Sequence, residues 1–121
     1  MRTLAILGST GSVGRQCLQV VDELSSRFRV VGLAAGGHIE QLAGQVARFH
    51  PDVVSLADAD SVPRLRLRLR QLGVAREPAI HWGREGMKAV AVETHADLVV
   101  SAAVGIVGLE ATYQAVAAGK T

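Results

Sequence analysis

The sequence predicts an α/β domain built on a doubly wound parallel sheet in three layers, α/β/α. Three observations carry that reading. Short apolar runs alternate with amphipathic stretches along the whole chain, as strands joined by single helices would. Apolar residues make up 49% of the chain and aromatics only 3%, so the core must be aliphatic and alanine-rich, which suits a sheet covered by helices on both faces. Gly8-Ser9-Thr10-Gly11-Ser12-Val13-Gly14 falls between the first apolar run and the first amphipathic stretch, where a Rossmann-like unit turns from strand to helix.

Taken in order, strands are expected over residues 4–7, 30–34, 53–56, 79–81 and 98–101, each a short apolar run bounded by turn residues. Between and after them, apolar recurrence near 3.6 residues predicts helices over 13–25, 39–48, 61–72, 84–94 and 107–118. In the first helix Val13, Cys17, Val20, Val21 and Leu24 share a face; in the second Ile39, Leu42, Val46 and Phe49 do. His50-Pro51-Asp52 punctuates the entry to the third strand, and Gly73 ends the third helix. One segment conflicts with itself. The strict alternation of Arg64-Leu65-Arg66-Leu67-Arg68-Leu69-Arg70 suits a strand, yet Leu65, Leu69 and Leu72 form a helical face and Pro63 suits a first turn. Leu and Arg are good helix formers, so a helix is expected, with the arginines spread over a solvated surface. Strands joined by single helices imply right-handed crossovers and a parallel sheet.

Composition bounds the rest. The 121 residues suffice for one domain with its own core, and no repeat, linker or boundary divides them. Charged residues are 20% and the net charge is +2, too little to argue for nucleic acid. The single cysteine, Cys17, excludes an internal disulfide and fits a reducing cytosol. It reads as a buried inert thiol, a reactive thiol near a helix N-terminus being the alternative. The start of the chain lacks a signal-peptide pattern, and its most apolar stretch, 98–109, is far short of the ~20 residues that span a bilayer. A soluble cytoplasmic protein with no nucleic-acid or membrane partner is expected. His38, His50, His81 and His95 lack metal-ligand spacing, so no metal site is expected in this chain. Asp58 with Asp60 reads as a solvated turn and Trp82 as a loop anchor; no residue reads as a catalytic acid, base or nucleophile.

The glycine turn is the chemistry-bearing element. A helix N-terminus offers unpaired N–H groups and the positive end of the helix dipole, and glycine lets backbone approach a pyrophosphate. The spacing is G-x-x-G-x-x-G rather than G-x-G-x-x-G. In NAD-binding units an acidic residue ~20 positions later accepts from the ribose 2′-OH. Here the second strand ends Leu33-Ala34-Ala35-Gly36-Gly37-His38, with no Asp or Glu between Glu23 and Glu40, which favours NADP. Gly36 and Gly37 offer either close approach to the cofactor or a plain loop, and His38 is either a phosphate donor or an exposed loop residue. The later run Val100-Ser101-Ala102-Ala103-Val104-Gly105 is another strand end entering a glycine turn, leaving room for a nicotinamide or serving tight packing.

Leu4-Ala5-Ile6-Leu7-Gly8-Ser9-Thr10-Gly11-Ser12-Val13-Gly14 closely resembles the N-terminus of the 1-deoxy-D-xylulose 5-phosphate reductoisomerases. So do Phe28-Arg29-Val30-Val31-Gly32-Leu33-Ala34-Ala35-Gly36 and Val104-Gly105-Ile106-Val107-Gly108-Leu109, followed by Thr112 and Ala118-Gly119-Lys120. The three blocks stand in the right order and cover nearly the whole chain. The resemblance implies an NADPH-dependent enzyme of the non-mevalonate isoprenoid pathway, usually a homodimer. Such enzymes rearrange and reduce 1-deoxy-D-xylulose 5-phosphate to 2-C-methyl-D-erythritol 4-phosphate with Mg²⁺ or Mn²⁺. It further implies that Thr10, Gly11, Ser12 and Val13 contact the cofactor phosphates, Gly36, Gly37 and His38 its adenosine end, and that Ala102 lies toward the nicotinamide. Gly37-His38 replaces a basic or amide-bearing pair of the family, and Glu110-Ala111 stands where a residue followed by proline is common. The family continues into a strand ending Leu-Ala-Asn-Lys-Glu and a catalytic domain with acidic metal ligands. Residues 1–121 therefore match the NADP-binding domain alone, expected to be inactive by itself and to leave a sheet edge unpaired. Two alternatives stay open: a free-standing NAD(P)-binding regulatory module, and the cofactor domain of another dehydrogenase such as a semialdehyde dehydrogenase.

Overall fold

In a computed structural model, which describes residues 2–101, five parallel strands and their helices alternate as the apolar pattern predicts. The order is β1 (Arg2–Leu7), α1 (Ser12–Glu23), β2 (Phe28–Ala34), α2 (Ile39–Phe49), β3 (Val53–Leu56), α3 (Val62–Gln71), β4 (Ala79–Trp82), α4 (Gly83–Lys88) and β5 (Leu98–Ser101). A short 3₁₀ turn, Ala59–Ser61, leads into α3, and α4 widens into a π-helical turn over Ala89–Glu93. The helix expected over 107–118 lies outside the described residues.

The sheet order is β4-β3-β2-β1-β5. From β1 to β4 the chain steps in one direction, so right-handed crossovers hold α1, α2 and α3 on one face. The step from β4 to β5 reverses direction and carries α4 across the other face. Two cores follow. One packs Leu18 and Val21 of α1, Ile39, Leu42 and Val46 of α2, and Leu65 and Leu69 of α3 on Leu4, Ile6, Val30, Leu33, Val54 and Leu56. The other sets Val90, Ala91 and Ala96 against Ala5, Leu7, Val31 and Ala34.

β2 is not a plain strand. Its register against β1 shifts by one, Leu4 facing Val30 but Ala5 facing Gly32. This bulge explains how Val30 and Leu33, three apart, reach the same core. Glycine suits it: a Cβ at Gly32 would stand 3.0 Å from both Val90 Cγ1 and Thr94 Cγ2.

The helix ends carry the expected punctuation. His50 caps α2 in the left-handed region, with its N–H bonded to Val46 O at 2.9 Å, and Gly73 follows α3 at φ +78°. The alternating Leu-Arg run is helical, with Leu65 and Leu69 buried, Leu67 exposed and Arg68 bonded to Glu40. Two expectations need correction. On α1 the inward face is Gly14, Leu18 and Val21, while Val13 and Val20 are 57% and 53% exposed. The helix carries two apolar stripes, and the one with the smallest residue lies against the sheet. Trp82 anchors no loop: it is the last residue of β4 and stands half-exposed.

Candidate dinucleotide-binding site

The C-terminal ends of β1 and β2 bring the glycine turn and Gly36-Gly37-His38 to one edge of the sheet. Gly8, at φ +88°, takes the chain out of β1 through a conformation that glycine adopts without strain. The N–H groups of Gly8 and Ser9 both donate to Ala34 O, at 2.7 and 3.0 Å, tying the turn to the end of β2. Gly11 N–H donates to Gly8 O at 3.2 Å, and Arg15 N–H to Gly11 O at 2.9 Å makes the first bond of α1.

Gly11 caps α1 without any side-chain hydrogen bond, and no acidic residue occupies the first turn. Among the described residues the first N–H groups of this 12-residue helix therefore have no carboxylate or hydroxyl to receive them. Gly14 sets how closely the helix sits on the turn. A Cβ there would stand 2.2 Å from Gly8 O and 2.8 Å from Ser9 Cα, distances no side chain tolerates. Ser9 and Thr10 are buried beneath the turn, while Gly11, Ser12 and Val13 form its exposed lip. Ser9 Oγ has no hydrogen-bond partner among the described residues. An uncapped helix start behind a glycine turn fits a diphosphate in charge and in shape.

The neighbouring segment is open. A Cβ at Gly36 or Gly37 would meet nothing within 4 Å among the described residues, so their packing does not demand glycine there. His38 is the N-cap of α2, exposed, and its side chain makes no capping bond. The next carboxylate along the chain, Glu40, accepts from Arg68 Nε at 2.7 Å and is paired with it. Among the described residues, the end of β2 thus carries no unpaired acid that would repel a 2′-phosphate.

Position in the sheet matters as much as local geometry. The turn leaves β1, and β1 lies between β2 and β5, where the direction of strand stepping reverses. In open α/β sheets ligands bind at that switch point, outside the carboxyl ends of the strands. Ser101, the last described residue of β5, pairs with Leu7 directly before the turn. Thr10, Gly11, Ser12, Val13, Gly36, Gly37 and His38 are thus gathered on one edge, and Ala102 lies outside the described residues.

Other candidates are structural. Cys17 is half-buried against the larger core, and burial pushes its thiol up, away from the reactive thiolate. Asp58 Oδ1 accepts from Ser61 N–H at 3.0 Å and Oγ at 2.9 Å, capping the 3₁₀ turn rather than simply facing solvent. Among the described residues no group of three or more His, Cys, Asp and Glu side chains could hold a metal ion, and no helix is long and apolar enough to cross a membrane. One residue escapes sequence reading: Gln45 of α2, whose Nε2 donates to Ser9 O at 2.8 Å.

A strand, a glycine turn and an uncapped helix at the switch point of a parallel sheet define a dinucleotide-binding domain of the Rossmann type. More particularly, the chain belongs to the 1-deoxy-D-xylulose 5-phosphate reductoisomerase family, whose model matches residues 4–121. The Symbiobacterium thermophilum 1-deoxy-D-xylulose 5-phosphate reductoisomerase is 50% identical over 118 residues, covering 97% of this chain and 30% of that protein. A crystal structure of DOX-P reductoisomerase in complex with NADPH, fosmidomycin and magnesium superposes with a TM-score of 0.89 at 32% identity, covering 99% of this chain and 29% of that one. The reductoisomerase from Zymomonas mobilis in complex with NADPH gives 0.88 at 28% identity, covering 98% of this chain and 30% of its own. The chain thus spans about 30% of the length of these relatives. Membership in this family decides against a semialdehyde dehydrogenase.

Proposed function

We propose that residues 1–121 form the NADPH-binding domain of a reductoisomerase that converts 1-deoxy-D-xylulose 5-phosphate to 2-C-methyl-D-erythritol 4-phosphate in non-mevalonate isoprenoid biosynthesis. The carrying observation is the uncapped start of α1, pinned through Gly8 and Ser9 to the acid-free end of β2. Relatives solved with NADPH and with magnesium support the reading. In it, Thr10, Gly11, Ser12 and Val13 contact the cofactor phosphates, the N–H groups of Thr10, Ser12 and Val13 serving as donors while that of Gly11 stays on Gly8 O. Gly36, Gly37 and His38 receive the adenosine end, with the His38 imidazole donating to a 2′-phosphate, and Ala102 leaves room beside the nicotinamide. NADPH supplies the hydride; the chain's share is to hold and orient it.

The described residues offer no donor set that fits Mg²⁺ or Mn²⁺. We assign the metal, the phosphosugar site and homodimer contacts to portions of the relatives that this chain does not span. A cytoplasmic enzyme with no nucleic-acid or membrane partner completes the reading.

The test is a pair of titrations followed by fluorescence. NADPH should bind at least tenfold more tightly than NADH, a difference of about 1.4 kcal/mol. Equal affinities would overturn the assignment. With 1-deoxy-D-xylulose 5-phosphate and Mg²⁺ added, the 121-residue chain should leave NADPH unconsumed.

A further inference from the structure

We propose that Gln45 is a positioning residue for the cofactor's diphosphate, acting through the Ser9–Thr10 peptide; the proposal rests on the dinucleotide-binding reading above. Gln45 lies on α2, 36 residues from the turn, and its Nε2 reaches Ser9 O at 2.8 Å in a half-buried position. The N–H of Ser9 is already held by Ala34 O at 3.0 Å. Gln45 thus fixes the other side of the same residue, and Ser9 is wholly buried between the two.

The consequence follows from peptide geometry. Ser9 C=O and Thr10 N–H belong to one planar trans unit and point in opposite directions. A carbonyl drawn toward α2 therefore turns the Thr10 N–H away from α2. That N–H makes no backbone hydrogen bond among the described residues. It stands one residue before Gly11, where the uncapped start of α1 begins. Gln45 adds this N–H to the set facing an anion, although Gln45 itself need not touch the ligand. Without the amide, the peptide is free to rotate and the site loses an oriented donor. Gln45 Oε1 is buried without a partner among the described residues, so the donor end is the engaged end of the amide.

Gln45→Met keeps length and removes the donor; Gln45→Glu donates only when its carboxyl is protonated. NADP⁺, stable across the acid range, is titrated against wild type and both variants by calorimetry from pH 8 to pH 4.5. Gln45→Met should weaken binding by about tenfold at every pH, the loss expected when one N–H is no longer oriented to bond the charged diphosphate. Gln45→Glu should be weakened at least as much at pH 8 and recover toward wild type as its carboxyl gains a proton. Repulsion between the ionised carboxylate and the diphosphate also fades at low pH, so the discriminating result is Gln45→Glu rising above Gln45→Met there, which neither repulsion nor packing gives. Wild-type affinity in Gln45→Met, or a Gln45→Glu that binds no better than Gln45→Met at low pH, would overturn the positioning role alone. Failure of the wild type to bind NADP⁺ would instead overturn the functional reading on which the role rests. If Gln45→Met does not fold, Gln45→Leu serves as the donor-free reference for the same comparison.

Discussion

Placing a methyl group at Gly14 measures how tightly α1 is seated on the end of β1. The new Cβ would stand 2.2 Å from Gly8 O, 2.8 Å from Ser9 Cα and 3.0 Å from Gly8 C. Ordinary contact begins near 3.4 Å, so the helix start must retreat by about 1 Å. All three neighbours are backbone atoms, and none can rotate out of the way. Overpacking of this kind costs about 3 kcal/mol at the upper end of its usual range. Alanine returns about 1 kcal/mol of helix propensity, leaving a net loss of about 2 kcal/mol. For a domain of this size that lowers the melting midpoint by roughly 6–12 °C. NADPH affinity should fall as well, because the N–H groups move with the helix. Gly44→Ala is the matched control: it lies inside α2 with nothing within 4 Å of the new Cβ. It should gain about 0.5–1 kcal/mol. Urea unfolding followed by far-UV circular dichroism, with cofactor titrations alongside, reads both variants. A Gly14→Ala protein as stable as wild type, or the two variants shifting in the same direction, would refute the reasoning.

A second close approach should behave alike: Gly86→Ala puts a Cβ 2.2 Å from the buried Ser55 Oγ, and adding Ser55→Ala should recover part of the loss in a double-mutant cycle, because Ser55 Cβ at 3.1 Å remains. Cys17 should react more slowly than a free cysteine with a disulfide reagent at pH 8, since burial raises its pKa, and should accelerate in urea; as the only cysteine it gives a clean signal. Arg29 bonds both oxygens of Asp52 at 3.0 and 3.2 Å and holds its carboxyl below the usual carboxylate range. The pair is about half exposed, so Asp52→Asn should cost no more than about 1 kcal/mol at pH 7. A carboxyl lowered by folding stabilises above its unfolded pKa and stops doing so as pH falls through the depressed value, so the gap between wild type and variant in urea midpoint should close below about pH 4.

The strands are legible in the sequence because buried parallel strands are short apolar runs, and 53–56 and 98–101 coincide with β3 and β5. The facing of α1 is harder to read. Val13, Cys17, Val20 and Leu24 recur at helical spacing as well as any buried stripe, so periodicity alone does not say which stripe meets the sheet. The deciding residue is Gly14, whose lack of a side chain is the reason its face can come so near Gly8. The turn itself is legible because its glycines are called for by chain direction and close packing, both local demands. Gln45 is not, because its role depends on a contact 36 residues away and its pattern is that of any polar residue beside Leu42 and Val46. The bulge in β2 is hidden for the same kind of reason: Val30-Val31-Gly32-Leu33 reads as an even strand until its partner's register is known.

The latch between the two ends of the described chain has a consequence for the order of assembly. Asp97 accepts from Thr3 N–H at 2.8 Å and from its hydroxyl at 3.2 Å, and its own N–H donates to Thr3 Oγ1 at 3.1 Å, across 94 residues. β1 meets β2 across one short crossover, but meets β5 only after β3 and β4 have been made. On an emerging chain, β1 to β4 can therefore associate while one flank of β1 still waits for its neighbour. Pulsed hydrogen exchange should find the amides shared by β1 and β2 protected before those shared by β1 and β5. The switch point is then among the last parts of the sheet to close, and a nascent chain becomes able to hold a dinucleotide late rather than early.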